Sequence, residues 1–215
     1  MEKDKAKSIL AFFEAASRDD IEIILLRNIN DEIPFSLGKN KDIDLLARKE
    51  DEGRLYDFLQ RSGFRRVKHP HRFDPRLYKL PKFQFYRNPQ GVYLDITYKL
   101  ACRSLDAGQW LPLDDEIQKK AWEQKRLVPL DAVFCQMLSI EVELVSLLSR
   151  CIFDKREFPI PYRSRIGWLI GRANREELMR LLLLVFFKFS NDLVNLVESC
   201  NYEDIITAYI EFRGY

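Results

Sequence analysis

Apolar residues along the first hundred positions follow two rhythms, one helical and one extended. Ile9, Phe12, Phe13 and Ala16 fall at steps of three, one and three, which predicts a helix over Asp4 to Ser17 with one apolar face. Asp19-Asp20 ends it, and the β-rich run Ile21 to Leu26 predicts a buried strand. Asn28 to Lys41 is rich in Asn, Gly, Pro and Lys and is expected to be a loop, before a second strand over Ile43 to Ala47. Asp51-Glu52 opens a helix with Leu55, Phe58 and Leu59 on one face and Gly63 at its C-terminal cap. Phe64 to Lys68 reads as a third strand. Phe83 to Tyr86 and Val92 to Tyr98 flank the turn tetrapeptide Asn88-Pro89-Gln90-Gly91 and predict a β-hairpin.

After Lys99 the helical rhythm takes over. Phe134, Leu138, Val142, Val145, Leu148 and Ile152 recur at steps of three or four and predict one long helix starting at Asp131. Asn174 with Glu177 forms a capping-box signature before Leu178, Leu181, Leu182 and Val185, and Asn201 similarly precedes Ile205, Ile206 and Tyr209. Phe158 to Pro161 is the clearest break. The change of pattern, near Gly108 and Pro112, predicts an α+β domain over 1–103 and a helical domain over 104–215.

Composition narrows the class. Of 215 residues, 47% are hydrophobic and 32% charged, which excludes disordered, collagen-like and low-complexity chains. Thirty-five basic and 33 acidic residues leave a net charge of +2, too even for a bulk nucleic-acid or membrane-surface binder. The longest uncharged apolar run, Leu181 to Phe187, is far short of the ~20 residues a bilayer span needs, so no membrane span is expected. The start, Met1-Glu2-Lys3-Asp4-Lys5, has no apolar secretory core. Cys102, Cys135, Cys151 and Cys200 form neither a Cys-x-x-Cys pair nor a Cys/His cluster, which points to a reducing cytoplasm.

The chemistry lies in three aspartates. In Lys41-Asp42-Ile43-Asp44-Leu45-Leu46, residues two apart on a strand share a face, so Asp42 and Asp44 stand side by side while Ile43 and Leu45 point to the core. Carboxylates ~7 Å apart at their Cα atoms repel each other. Either a divalent cation relieves the conflict, since hard ions take oxygen ligands, or the two aspartates face water at a strand end. Val92-Tyr93-Leu94-Asp95-Ile96-Thr97 puts a third acid inside an apolar strand, where Asp is disfavoured and a buried carboxylate needs a partner. That partner is either a nearby arginine or the same metal site. The three together favour a two-metal centre, with ions ~3.5–4 Å apart, suited to in-line phosphoryl displacement.

The order strand, loop containing Gly38, Asp42-Ile43-Asp44 on a second strand, helix, hairpin and Asp95 resembles the polymerase-β-type nucleotidyltransferase superfamily. Leu25-Leu26-Arg27, Lys41 to Leu46 and Leu94-Asp95-Ile96 are more narrowly similar to bacterial nucleotidyltransferase-like proteins, some found with surface-polysaccharide genes or fused to nucleotide kinases. The resemblance covers about residues 20–100. It implies an α+β fold, with a small mixed β-sheet nucleotidyltransferase core, flanking helices and a C-terminal α-helical half that shapes the acceptor pocket. It further implies an enzyme using Mg²⁺ or Mn²⁺ to transfer a nucleotidyl group from an NTP to an acceptor hydroxyl, on a sugar, glycan precursor or phosphorylated compound. Asp42 and Asp44 would hold both ions and Asp95 the catalytic one, helping to activate the hydroxyl. The chain departs from the superfamily where the first strand normally ends in Gly followed by Gly or Ser; here it ends Leu26-Arg27-Asn28. Arg27, Gly38, Lys39 and Lys41 are then the candidates to hold the nucleotide phosphates, Arg27 through bidentate contacts.

Two rival functions follow from other features. The missing glycine pair suits a binding or antitoxin-like module on the same fold with transfer lost. Arg61 to Arg87 carries nine Lys or Arg against one acid, with His69, His71, Phe73, Tyr78, Phe83 and Phe85 interleaved, and suits a phosphorylated acceptor or a nucleic acid. Its plain alternative is a solvated loop that offsets acids elsewhere, with both histidines at the surface. Trp110, Trp122 and Trp168 are expected in packing, and Arg163, Arg165 and Arg172 on an exposed helix face.

Overall fold

The first apolar stripe forms α1 (Glu2–Arg18), burying Ile9, Phe12, Phe13 and Ala16. The chain continues through β1 (Ile23–Leu25), a 3₁₀ turn (Ile29–Asp31), β2 (Asp42–Ala47) and α2 (Glu52–Arg61). The strands β3 (Arg65–Arg66), β4 (Gln84–Arg87) and β5 (Tyr93–Thr97) follow. These descriptions come from a computed structural model and cover residues 2–38, 41–68, 77–105 and 108–214. Gly63 closes α2 with φ +81, a left-handed conformation that costs glycine little. The expected hairpin turn also forms: Gly91 N donates to Asn88 O at 3.1 Å, and Val92 N donates to Asn88 Oδ1 at 2.9 Å.

The next elements are β6 (Ala101–Arg103), β7 (Trp110–Pro112) and α3 (Asp115–Glu123), then β8 (Arg126–Leu130) and β9 (Val133–Met137). Here the structure corrects the sequence expectation of one long helix from Asp131. Residues 131–132 are instead the two-residue link of the β8–β9 hairpin, with Asp131 at φ +55. The helical steps of Phe134 and Leu138 coincide with an extended pattern in which Cys135 and Met137 are buried, while Phe134 is 57% exposed. The helix proper, α4 (Ile140–Ser149), starts where Ser139 Oγ accepts from Val142 N, and it passes into a π-helical stretch (Arg150–Lys155). Then come α5 (Ile160–Ile170), α6 (Arg175–Phe186), α7 (Ser190–Glu198) and α8 (Ile205–Glu211). Asn174 caps α6 as expected, accepting from Glu177 N at 3.0 Å.

The chain divides into two compact units, Met1–Lys99 with Lys125–Met137, and Leu100–Gln124 with Leu138–Tyr215. The first unit is a mixed sheet of order β3-β4-β5-β2-β1-β9-β8, in which β2–β5 and β1–β9 run parallel and the other pairs antiparallel. One face is apolar: Ile43, Leu45, Leu94 and Ile96 are fully buried in a cluster with α1 and α2. Phe12 anchors that cluster, its ring 5.2 to 5.7 Å from those of Phe13, Phe58 and Phe64. The second unit is mainly helical. Glu143 on α4 is fully buried and takes both arms of the Arg165 guanidinium, at 2.7 and 2.9 Å. Trp168 is 38% exposed rather than packed inside, with the guanidinium carbons of Arg165 and Arg172 at 4.6 and 4.4 Å from its ring centre. Among the described residues no helix is long and apolar enough to cross a membrane.

Three stability predictions come from these ion pairs. Removing one partner of a buried ion pair strands the other, so Glu143→Ala should lower the unfolding free energy by about 3–5 kcal/mol in urea denaturation. Arg175→Ala, which breaks the exposed pair with Glu198, should cost under about 1 kcal/mol. In the first unit Glu22 lies between Lys125 and Arg48, and hydrogen bonds from Lys125 and then Arg48 hold its carboxyl below the usual glutamate range. A depressed carboxyl stabilises the fold above the unfolded value of about 4.3 and loses that contribution as pH falls through the folded value. Denaturation across that acid window should therefore show a smaller loss for Glu22→Gln than for the wild type.

Candidate active site

β2 and β5 run side by side with Asp42 opposite Tyr93, Ile43 opposite Leu94 and Asp44 opposite Asp95. Side chains alternate along a strand, so the pairing that sends Ile43 and Leu94 into the core sends the three aspartates to the other face. One carboxylate oxygen from each lies within 4.8 Å of the others. Asp95 is 5% exposed, and Asp42 and Asp44 are half-buried. Two oxygens on one Mg²⁺ can be no more than about 4.2 Å apart, and on Ca²⁺ about 5 Å, so small rotations bring all three within reach of a single hard cation. An all-carboxylate donor set of this kind fits Mg²⁺ or Mn²⁺.

The residues expected at the phosphates are placed differently from one another. Arg27 follows β1, whose neighbour Leu26 donates its N–H to Asp44 O at 3.0 Å, and this brings the guanidinium onto the triad. Arg27 Nε donates to Asp44 Oδ2 at 3.1 Å and Nη2 reaches Oδ1, a two-armed contact with Asp44 itself. Gly38 O accepts from Lys41 N at 3.1 Å, just before β2. The Lys41 side chain pairs with Glu32 and is largely exposed. Lys39 lies outside the described residues, as do His69, His71 and the rest of 69–76. Of the basic stretch, Arg61, Arg65, Arg66, Lys68, Lys79, Lys82 and Arg87 are described, and all are exposed.

Several residues of the site carried no sequence signal strong enough to single them out. Lys5 on α1 donates to Gly38 O at 3.0 Å and to Leu37 O at 3.4 Å, and burial pushes its ammonium below the usual lysine range. Asn28, buried just before the 3₁₀ turn, accepts from Ile33 N at 2.9 Å through Oδ1 and so fixes the loop after β1. Tyr93, opposite Asp42, stacks on Phe85 with centroids 5.5 Å apart and rings 17° from parallel. The Arg87 guanidinium sits 5.2 Å from the Tyr93 ring centre. Residues 85, 87, 93 and 95 alternate in step on two paired strands, the one pattern that could have flagged this wall.

No protein-family model matches the chain, and no curated protein matches it in sequence. Solved structures do. The antibiotic-resistance factor ANT(2'')-Ia aligns over 94% of this chain and 100% of its own at 11% identity, with a TM-score of 0.53. The same protein in complex with adenylyl-2''-tobramycin aligns over 83% and 94% at 12% identity, with a TM-score of 0.50. The lincosamide antibiotic adenylyltransferase LnuA, lincomycin-bound, aligns over 78% and 97% at 13% identity, with a TM-score of 0.44. With the two ANT(2'')-Ia alignments spanning both units and the order of strands around the aspartates in hand, the chain has the α+β fold of the polymerase-β-type nucleotidyltransferases.

Proposed function

We propose that this chain is a divalent-metal-dependent nucleotidyltransferase that moves a nucleotidyl group from an NTP to an acceptor hydroxyl. The observation that carries the reading is the convergence of Asp42, Asp44 and Asp95 on one sheet face within that fold. Asp42 and Asp44 are the residues to hold Mg²⁺ or Mn²⁺, and Asp95 completes the set. Bound there, the cation neutralises charge on the phosphates and lowers the pKa of an oxygen it touches. The acceptor oxygen forms a bond to the α-phosphorus as the bond to the α–β bridging oxygen breaks, and pyrophosphate leaves. Asp95, the most enclosed carboxylate, draws the proton from the attacking hydroxyl. Lys41 stands just before β2, where its charge, together with that of its sequence neighbour Lys39, would offset the charge of the triphosphate. Such chemistry asks a protein chiefly for positioning and electrostatic stabilisation, which a rigid two-strand scaffold supplies.

The adenylyl-2''-tobramycin bound to ANT(2'')-Ia is a nucleotidylated small molecule, and it supports a small hydroxyl-bearing acceptor here as well. A sugar or glycan precursor is the acceptor class we assign. One observation favours a second reading, a nucleotide-free binding module: Arg27 stands where the superfamily's first strand ends in a glycine pair, and it is engaged with Asp44.

Titration calorimetry of ATP in the presence of Mg²⁺ separates the two. The wild type should bind, and Asp44→Asn or Asp95→Asn should lose transfer to a sugar acceptor by about 100-fold or more, the equivalent of the several kcal/mol a metal contributes. Absence of metal-dependent ATP binding in the wild type would favour the module.

A further inference from the structure

Arg27 is bonded to a residue that the proposed function needs for another purpose. Its guanidinium takes both oxygens of Asp44, Oδ2 through Nε at 3.1 Å and Oδ1 through Nη2. Both side chains are largely enclosed, at 15% and 22% exposure, so the pair is not a loosely solvated surface contact. Asp44 is also the register partner of Asp95 and shares a strand face with Asp42, which puts it at the centre of the triad. A guanidinium fork and a divalent cation are alternative electrophilic partners for the same two oxygens, and at this separation their charges repel strongly.

We infer that Arg27 is a resident counter-ion of the metal site that exchanges partners: it holds Asp44 in place before metal arrives and transfers to the nucleotide phosphates when metal and NTP bind together. This rests on the metal-binding reading given above and adds a role for the one site residue that departs from the superfamily's glycine pair. The chemistry of the exchange is balanced in charge. The cation takes over the carboxylate, and the released guanidinium meets an oxyanion of the triphosphate, which matches its planar fork as well as a carboxylate does. The stiffness of the surroundings favours a swing of the side chain over a movement of backbone, because Leu26 N–H is tied to Asp44 O and Asn28 is tied to Ile33. Arg27 is thus a positioning residue with a gating consequence: free metal binds weakly, and nucleotide removes the competitor.

The test reads metal binding directly, by the loss of the free Mn²⁺ electron paramagnetic resonance signal on titration into protein, with and without a non-hydrolysable ATP analogue. In the absence of nucleotide, Arg27→Gln should bind Mn²⁺ about tenfold more tightly than the wild type, the size of effect one adjacent cation has on a carboxylate. Arg27→Lys, which keeps the charge but offers no fork, should tighten it by a smaller factor, so the inference stays testable if the glutamine variant folds poorly by circular dichroism. Arg48→Gln, a loss of one charge at the far end of β2, should leave Mn²⁺ affinity unchanged. The analogue should raise wild-type Mn²⁺ affinity by a larger factor than it raises that of Arg27→Gln. Wild-type binding that neither Arg27 variant tightens would overturn the exchange and leave the metal site standing. Silence in all proteins, with and without the analogue, would overturn the metal site itself and with it the exchange.

Discussion

The parallel, in-register pairing of β2 with β5 is the constraint on which the first unit rests. It sets two opposed surfaces with one choice. Ile43, Leu45, Leu94 and Ile96 meet α1 and α2 on one side, and Asp42, Asp44 and Asp95 gather on the other. A slip of one residue would drive Asp95 into the oily face and bring Ile96 out, so the hydrophobic cost of misregister also protects the carboxylate cluster. The two strands are separated in sequence by α2, β3 and β4, and the edge pairings of those strands hold β5 from its other side. The acidic site is stable because burial of its apolar neighbours pins it, although mutual repulsion of its own charges works against it.

Around this frame the structure ties down what would otherwise wander. Asn28 closes the loop after β1 by bonding Ile33, Lys5 reaches from α1 to the carbonyls of Leu37 and Gly38, and Phe85 and Arg87 brace Tyr93 beside Asp42. Each tie comes from a different segment. The carboxylates sit on regular strands, and the cationic groups sit on the loops and strand ends that approach them, so the acids are the fixed partners and the bases the adjustable ones.

Residue alternation is what makes the triad legible in the sequence. An acid between apolar β-branched neighbours is out of place in a strand, and two such strands identified the same face. The capping of α6 by Asn174 and the Asn88–Gly91 turn were legible for a similar reason, since each depends on residues within four positions. Long-range partners were not legible. Nothing adjacent to Arg27 in the chain announces Asp44, and Glu32 precedes Lys41 by nine residues across a loop without periodicity. The hairpin at 126–137 was hidden by coincidence: an apolar residue at every third or fourth position and one at every second position agree over short spans, and the following α4 extended the false rhythm. Trp168 stands outside the expected packing, half-exposed, with the guanidinium groups of Arg165 and Arg172 within cation–π reach of its ring.

The late return of the chain has a consequence for how this protein is born. β1 pairs on one side with β2, made soon after it, but its parallel partner on the other side is β9, with Leu25 opposite Met137. A ribosome emits residues in order, at ~5–20 per second, so for several seconds a nascent β1 presents an open flank to whatever is nearby. Neither compact unit is a continuous stretch of sequence, and a fragment cut after residue 99 would carry that open flank permanently.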